Sequence, residues 1–444
     1  MFRINWAPGH RRAAPGVTKF AAAVTFAIVS TAALADTINV VTSFPKELTS
    51  AYKAAYEKKY PNDKVEILNK GTSAGIAYVR EQPAGSRAEI FWASAPDAFE
   101  VLASEKLLQK VDVPAGDIPA KVGEYPINDP EGMYRGQALA GYGIMWNTRY
   151  LQAHKLPGPK EWSDLAKPVY HGHVATSSPS RSGTTHLTFE TILQGEGWDP
   201  GWNQILRIAG NCAAVTERSF GVPDGVQNGQ FGIGLVIDFF GLAARNSGFP
   251  TDFAYPSVTA IVPANIGLIA GAKNAEAGKR FLQYTLSEEG QELLLDPKIS
   301  RLPVLPATYA KAPKGYPNPF DGSIKAKVNF DSNLSESRYY VVSSLFDQVI
   351  TFRHKELVEA TRAIQDAEKR LGGRASPQLE EARKLAWTVP VSAQQARDKE
   401  LLAAFKAKKG DEAAVRRKTQ LEEEWSTKAK ANYGRAAELA NAAK

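Results

Sequence analysis

A run of small hydroxyl residues, one glycine and one arginine at residues 180–186 carries the clearest chemical signal in this sequence. It directly precedes Phe189, Ile192 and Leu193, whose spacing places them on one face of a predicted helix. The first N–H groups of a helix lack partners within the helix and, together with its dipole, attract anions. Arg181 adds a planar guanidinium that fits a phosphate or a carboxylate. The pattern predicts an anion site, although an ordinary capped helix with a solvated arginine fits the same residues.

Further loops with small hydroxyl residues follow predicted strands upstream of this run. The alternation of strands and helices along the body of the chain predicts an α/β fold with a mainly parallel sheet and helices on both faces. In such sheets ligands bind beyond the carboxyl ends of the strands. The upstream loops supply Ser43, Thr72, Ser73 and Ser94. Their convergence with residues 180–186 predicts a cleft for a small anionic solute.

The N-terminal residues have the composition of a secretory signal peptide. Four basic residues and no acidic one accompany a small, apolar stretch that ends in the A-x-A manner at Ala35. We therefore expect residues 1–35 to be cleaved near Ala35 and the mature protein to be periplasmic. No later stretch of the sequence is long and uncharged enough to predict a membrane span.

The charge is distributed unevenly and separates a body from a C-terminal segment. The whole chain has a formal charge of +7, of which residues 1–35 hold +4 and residues 351–444 hold +6. Residues 36–350 are therefore slightly acidic. Because acids interleave the basic residues of the C-terminal segment, nucleic acid is not expected as a partner. Cys212 is the single cysteine, which excludes an intramolecular disulfide.

Beyond about residue 335 the sequence is rich in Ala, Glu, Lys and Arg and carries a narrow apolar stripe. The stripe comprises Leu357, Ala360, Ile364, Ala367 and Leu371, and continues at Leu379, Ala382 and Ala386. So narrow a stripe suits packing of one helix on another and cannot enclose a core of its own. We expect residues 357–387 to dock on the body as an antiparallel helical pair. The last segment, with Leu421 and Trp425, is expected to be more exposed.

Six short motifs of the body recur together in one known family. They are VVTSFP at residues 40–45, AGYGIMWN at 140–147, AGAKN at 270–274, KRFL at 279–282, SEEGQ at 287–291 and RLPV at 301–304. Together they resemble ABC-transporter solute-binding proteins of the ferric-iron/sugar-phosphate type. The resemblance covers roughly residues 36–320.

The resemblance implies the two-lobed, type II-like fold of periplasmic binding proteins, whose lobes close on a solute by a hinge. Lobe 1 is then residues 36–141 plus about 262–330, lobe 2 is residues 142–261, and residues 331–444 form a helical C-terminal extension. Family members serve an ABC permease in the inner membrane. The helical tail is similar to that of phosphoglycerate transport regulatory members, which implies a sensor protein as a further partner of these helices.

The resemblance also narrows the ligand. Iron-binding members carry adjacent tyrosines where this chain has Phe239 and Phe240, which offer no donor atom, so ferric iron is the alternative and not the first choice. Members that bind sugar phosphates or phosphoglycerates share the Ser-Gly-Thr helix start, which implies a phosphorylated small metabolite and neither a metal nor another cofactor. The phosphate pocket carried over from them comprises Ser43, Thr72, Ser73, Ser182, Gly183 and Thr184. Asp238 suits a ligand hydroxyl, and His186 and Arg218 are further candidates.

One motif points to a different class of protein. Residues 71–75 match G-x-S-x-G between a predicted strand and a predicted helix, as the nucleophile elbow of a hydrolase requires. Ser73 would be the nucleophile, whereas His186 and His354 follow it without a recognisable motif. We expect a binding protein without enzymatic activity, and an exported serine hydrolase is the alternative of another class.

Overall fold

The computed structural model of the protein describes residues 36–114, 116–406 and 410–444, so the expected signal peptide, residues 1–35, lies outside them. The strands are β1 (Asp36–Thr42), β2 (Asp63–Asn69), β3 (Ile90–Ala93), β4 (Leu108–Gln109), β5 (Lys121–Val122), β6 (Tyr125–Pro126), β7 (Tyr134–Asn147), β8 (Val174–Ser177), β9 (Cys212–Thr216), β10 (Ile233–Ile237), β11 (Thr251–Ala254), β12 (Ile261–Ile269) and β13 (Leu302–Pro303). The helices of the body are α1 (Lys46–Lys59), α2 (Thr72–Glu81), α3 (Pro96–Ser104), α4 (Thr148–His154), α5 (Gly183–Glu196), α6 (Trp198–Gly210), α7 (Gly221–Gln227), α8 (Asp238–Asn246), α9 (Ala275–Leu286) and α10 (Glu288–Glu292). Those of the C-terminal extension are α11 (Ser332–Val349), α12 (His354–Leu371), α13 (Pro377–Ala386), α14 (Lys399–Phe405) and α15 (Glu412–Ala442). No helix in these described ranges combines the length and the apolar character that crossing a membrane requires.

The main sheet has two parallel parts with an antiparallel centre. Its strand order is β2-β1-β3-β12-β7-β10-β8-β9. β1 pairs in parallel with β2 and β3, and β8 pairs in parallel with β9 and β10. β7 and β12 run antiparallel to each other and to their outer neighbours. The sheet is thus less uniformly parallel than the sequence predicted, because two long strands that run between its halves fill its centre.

The strand β7 passes from one half of the sheet into the other. It pairs with β12 as far as Gly141 and with β10 from Tyr142 onward. Each half carries its own helices, which is the α/β arrangement expected for two lobes. We propose that the lobe boundaries lie where β7 changes partner, with lobe 1 at residues 36–141 and about 262–330 and lobe 2 at residues 142–261.

Aromatic packing joins α1 to the sheet in lobe 1. Leu48, Tyr52 and Tyr56 recur on one face of α1 and are buried. The ring of Tyr52 meets that of Trp92 in β3 edge-on, with 5.0 Å between centroids. The Trp92 indole N–H donates to the Gln137 side chain at 3.2 Å. Each buried aromatic ring stabilises the fold by roughly 1.5–3 kcal/mol, so these contacts hold α1 against β3.

The helix α5 is buried on nearly all sides. Phe189, Ile192 and Leu193 form the predicted apolar face and are buried, but His186 and Glu190 on another face are buried as well. A helix that is buried all round must be covered by two layers. One layer is the sheet and helix α6 of lobe 2, and the other is α11 of the extension.

The apolar stripe of the extension lies buried as predicted. Its residues in α12 and α13 are at most 3 % exposed. α12 packs on α6 of lobe 2, while α11 packs on both α3 and α5. The extension therefore contacts both lobes.

The last helix is not the exposed segment that the sequence predicted. α15 lies against α11, α12, α13 and α14. Leu421 and Trp425 are only 8 % and 5 % exposed, and the Trp425 ring stacks on Phe405 of α14. The expectation was wrong because the large apolar residues of α15 are spread thinly over its 31 residues. Alanines and charged residues between them obscure the helical periodicity in the sequence.

Candidate functional site

The predicted strand-end residues meet around one small cavity. The cavity has a volume of about 10 Å³, enough for about one water molecule, and is partly open to solvent. Seven of the eleven residues predicted to bind the ligand line it: Ser43, Thr72, Ser94, Arg181, Ser182, Thr184 and Arg218. The hydroxyl residues 43, 72 and 94 follow strands of lobe 1. The others come from the start of α5 and the residues just before it, and from the loop after β9. The cavity is thus shared between the two lobes.

The start of α5 is capped and also faces the cavity. The Ser182 hydroxyl oxygen accepts a hydrogen bond from the Thr185 N–H at 3.3 Å, which is ordinary N-capping. The cap fixes the first turn, and Thr184 in that turn lines the cavity. The ordinary helix cap and the predicted anion site at residues 180–186 are therefore compatible, because the dipole of the capped helix is directed at the cavity.

The lobes touch each other at two glycines beside the cavity. The Gly183 N–H of lobe 2 donates to the Thr72 hydroxyl of lobe 1 at 3.2 Å. A Cβ atom on Gly183 would lie 2.6 Å from the Cβ of Ala95, and one on Gly71 would lie 2.7 Å from the Arg181 carbonyl oxygen. Only glycine permits so close an approach of these two segments of the chain. Gly183 therefore serves the contact between the lobes and does not itself line the cavity.

The two predicted arginines, Arg181 and Arg218, occupy different positions at the cavity wall. Arg181 is exposed to solvent. Arg218 reaches from lobe 2 to lobe 1, where its Nη2 lies 3.4 Å from both the Asn69 side-chain oxygen and the Lys70 carbonyl oxygen. Burial lowers the pKa of Arg218 from its ordinary value. Both side chains place positive charge where an anion would bind.

A third arginine, Arg301, was missed by the sequence analysis. It precedes β13 and is only 1 % exposed, yet it lines the cavity. Its Nη1 donates to the Ser94 hydroxyl at 3.0 Å. Its Nε and Nη2 are buried and have no hydrogen-bond partner in the part of the chain that the structure describes. The motif at residues 301–304 was noted as a family resemblance, but nothing in the local pattern indicated that its first residue is buried at the cavity.

Arg301 is held between two aromatic rings. Its guanidinium carbon lies 4.1 Å from the centroid of Phe44 and 3.7 Å from that of Phe239. Such stacking stabilises a cation and orients its plane. Burial lowers the pKa of Arg301 to about 9, while the charge of Asp238 acts in the opposite direction. The guanidinium is therefore still cationic at neutral pH.

Asp238 was predicted to meet a ligand hydroxyl, but the structure does not bring it to the cavity wall. Its carboxylate is fully buried and accepts hydrogen bonds from the Gly141 N–H at 2.7 Å, the Tyr255 hydroxyl at 2.9 Å and the Phe239 N–H at 2.7 Å. Burial raises the pKa of Asp238 to about 7. Its oxygens are occupied in tying α8 to β7, which places it behind the cavity.

Ser73 lies beneath the extension and not in the cavity lining. Its hydroxyl lies 3.2 Å from that of Tyr339 in α11. The described hydrogen bonds of Ser73 do not include a histidine, so the arrangement lacks the nucleophile–base contact of a hydrolase. Sequence spacing placed Ser73 correctly in the first turn of α2, but the helix turns its side chain towards α11.

His186 also faces the extension. Its Nε2 lies 3.3 Å from both the Asp97 carboxylate and the Ser335 hydroxyl, and its Nδ1 lies 3.3 Å from the Ser343 hydroxyl. Burial lowers the pKa of His186 to about 4 and raises that of Asp97 to about 7. The neutral imidazole is part of the contact between α11 and both lobes, and it does not line the cavity.

The sequence matches a known protein family. Residues 87–320 match bacterial extracellular solute-binding proteins, and the chain belongs to that family. It is 35% identical over 269 residues to the phosphoglycerate transport regulatory protein PgtC of Salmonella typhimurium, covering 60% of this chain. The matched part spans 65% of the length of that relative. An uncharacterised protein of Haemophilus influenzae is 25% identical over 288 residues, which are 62% of this chain and 79% of that protein.

Solved structures share the two-lobed fold. The periplasmic binding protein AfuA from Actinobacillus pleuropneumoniae, with fructose-6-phosphate bound, matches with a TM-score of 0.64 and 18% identity, covering 71% of this chain and 99% of AfuA. The apo ferric ion-binding protein A from Pasteurella haemolytica matches with a TM-score of 0.57 and 17% identity, covering 72% of this chain and 98% of that protein. At such low identity these similarities establish the fold alone.

Proposed function

We propose that this protein captures a phosphorylated small organic anion between its lobes in the periplasm and delivers it to an ABC permease of the inner membrane. The observation that carries the proposal is the composition of the cavity wall. Three arginines and six hydroxyl side chains line it, and none of its lining residues is acidic. A phosphate ester is the small solute that best matches several cations, hydroxyl groups and a helix start. The names of PgtC and of the fructose-6-phosphate complex of AfuA support the same ligand class.

Ferric iron is a poorer match to the same wall. Iron(III) needs anionic oxygen donors or imidazole, and the lining residues of the cavity include no Tyr, His, Asp or Glu. Phe239 and Phe240, which stand where iron-binding members have tyrosines, both line the cavity. We therefore expect that protein incubated with ferric citrate and then desalted shows no visible tyrosinate absorption band.

A second role, in which the protein reports its ligand state to a sensor, is favoured by the position of the extension. α11 contacts α3 of lobe 1 and α5 of lobe 2, and α5 begins at the cavity. A hinge motion of the lobes must therefore move or strain α11. Helices coupled in this way to closure suit presentation of the bound state to a protein partner.

Thermal unfolding with a panel of ligands tests the proposed function. The panel is 3-phosphoglycerate, glycerol 3-phosphate, fructose 6-phosphate, inorganic phosphate, unphosphorylated glycerate and ferric citrate. A ligand at 100 times its dissociation constant stabilises the folded state by about 2.7 kcal/mol, which is a measurable shift in melting temperature. We expect shifts with phosphate esters and none with glycerate. Stabilisation by ferric citrate alone, or by no phosphate ester, contradicts the proposal.

A further inference from the structure

The unpartnered edge of Arg301 is the feature of the cavity that the proposed function leaves unexplained. Nη1 is used by Ser94, and the two nitrogens without a partner are Nε and Nη2. These two nitrogens carry N–H groups that point in parallel from one edge of the guanidinium. That edge is the one that binds two oxygens of a carboxylate or phosphate side by side. The edge is buried, so leaving it empty is unfavourable.

Phe44 and Phe239 lie over the guanidinium, with the centroid distances given above. A planar carboxylate can pair with the guanidinium in the plane between the rings. A tetrahedral phosphate would instead direct some of its oxygens out of that plane, towards apolar ring faces. The surroundings of Arg301 therefore favour a carboxylate over a phosphate.

The charge of the cavity leads to the same conclusion. The wall supplies three guanidinium groups and no carboxylate, whereas a phosphate monoester carries at most two negative charges near neutral pH. The exposed Arg181 can be compensated by solvent and salt, whereas Arg301 is 1 % exposed and is compensated only in part, through the field of Asp238. Asp238 does not pair with it directly, because both Asp238 oxygens accept hydrogen bonds from β7, Tyr255 and Phe239. A third negative charge on the ligand would balance the site.

We propose that Arg301 binds a carboxylate of the ligand, while Arg181, Arg218 and the start of α5 hold its phosphate. The ligand class is then a phosphorylated carboxylic acid such as a phosphoglycerate, and not a sugar phosphate. This assignment rests on the proposed function, since it presupposes that a phosphate ester enters the cavity. Arg301 also borders the wider groove between the lobes, together with Pro45, Phe220, Phe239 and Phe240, so the carboxylate end lies towards that groove.

Calorimetric titration with a matched pair of ligands tests this assignment. 3-Phosphoglycerate and glycerol 3-phosphate share the phosphate and the three-carbon chain and differ in the carboxylate. We expect the full protein to bind 3-phosphoglycerate at least about tenfold more tightly, as one charge-assisted bidentate pair predicts. This comparison needs no variant and decides the assignment by itself: equal affinity for the two ligands overturns it.

Two variants locate the discrimination. In Arg301→Met the side chain can fill the space between the two phenyl rings without a charge, and the preference for 3-phosphoglycerate should fall to about twofold or less. The matched control, Arg181→Ala, should weaken both ligands by the same factor. If Arg301→Met weakens both ligands equally, Arg301 belongs to the phosphate pocket, so the carboxylate assignment fails and the proposed function stands. If neither ligand binds the folded wild-type protein, both proposals fail.

Discussion

At the scale of single residues, Arg181 and Arg301 carry the same charge in opposite surroundings. Arg181 is exposed, whereas Arg301 is buried between two aromatic rings. Salt screens the field of an exposed charge and hardly affects a buried one. The two arginines should therefore differ in how ionic strength changes their contribution to ligand binding.

The first prediction concerns Arg181. We expect Arg181→Ala to weaken phosphate-ester binding about tenfold, with the loss growing as ionic strength falls, since a charge-assisted hydrogen bond is worth about 1.5–3 kcal/mol. Calorimetry at two salt concentrations measures this. Arg245→Ala is the control, because Arg245 is a partly exposed arginine of α8 that does not line the cavity. Unchanged affinity in Arg181→Ala would show that Arg181 is an ordinary surface residue.

The second prediction concerns Gly183, whose absent side chain lets the lobes meet. A Cβ atom there would lie 2.6 Å from Ala95, so Gly183→Val should prevent closure and reduce ligand affinity by more than tenfold while both lobes stay folded. Gly434→Val in α15 is the matched control, since a Cβ atom on Gly434 meets nothing within 4 Å. Calorimetry and thermal melting together check the outcome. Wild-type affinity in Gly183→Val would mean that this contact is not needed for binding.

At the scale of secondary-structure elements, α11 is the helix that ties the two lobes together. Its Ser335 hydroxyl donates to Asp97 of α3 at 2.8 Å. Its Arg338 forms a buried bidentate pair with Glu190 of α5, with both distances 2.8 Å. Breaking a buried ion pair by removing one partner costs about 3–5 kcal/mol. The contact of α11 with the lobes is therefore strong and depends on buried polar groups.

The third prediction is the pH dependence that Asp97 gives to this contact. Because burial raises its pKa to about 7, Asp97 contributes stability below its ordinary pKa that is lost as pH rises through about 7. His186, with its pKa lowered to about 4, contributes stability above its ordinary pKa that is lost as pH falls through about 4. The two effects oppose each other in the wild-type protein between about pH 4 and 6.5.

Asp97→Asn separates these opposing effects. We expect the melting temperature of Asp97→Asn, relative to that of the wild-type protein, to rise as pH increases from 5 to 7, because the variant lacks the carboxylate that becomes charged. Thermal unfolding across this range measures the difference. A difference that stays constant with pH would show that Asp97 titrates normally in the folded protein.

At the scale of the whole molecule, the extension stabilises the body without contributing to the cavity wall. All the cavity-lining residues precede residue 302. α15 adds contacts such as the hydrogen bond from the Tyr433 hydroxyl to the Val349 carbonyl oxygen at 2.8 Å. The indole N–H of Trp198 in α6 donates to the Val391 carbonyl oxygen at 2.8 Å. The cavity wall and the helices that support the fold thus lie in separate parts of the chain.

The fourth prediction is the effect of removing residues 391–444. The deletion uncovers the apolar faces of α12 and α13, so the melting temperature should fall, since each large apolar side chain that loses burial costs about 1.5–3 kcal/mol. Ligand affinity should stay within about threefold, because α11 and the cavity remain. Thermal melting and calorimetry on the same sample check both parts. Loss of binding in a truncated protein that still melts cooperatively would show that the extension helps to build the site.

Much of the fold and part of the site could be predicted because their causes are local. Helical spacing placed Phe189, Ile192 and Leu193 on one face of α5, and all three are buried. The apolar stripe of α12 and α13 is buried as expected. The hydroxyl residues at strand ends meet because the carboxyl ends of parallel strands share one edge of a sheet. Periodicity acts over a few residues, and the sequence displays it directly.

The sequence by itself determined the alternating α/β body, the helical extension and the residues at the start of α5, and its family resemblance implied the two lobes. The tertiary structure decided which polar side chains face the cavity. Arg301 reaches it through a hydrogen bond to Ser94, which is 207 residues away in sequence. Asp238 and His186 are turned into contacts with Tyr255 and α11 instead. Local patterns specify backbone conformation, whereas the burial and the partner of a charged side chain depend on chain segments brought together only by folding.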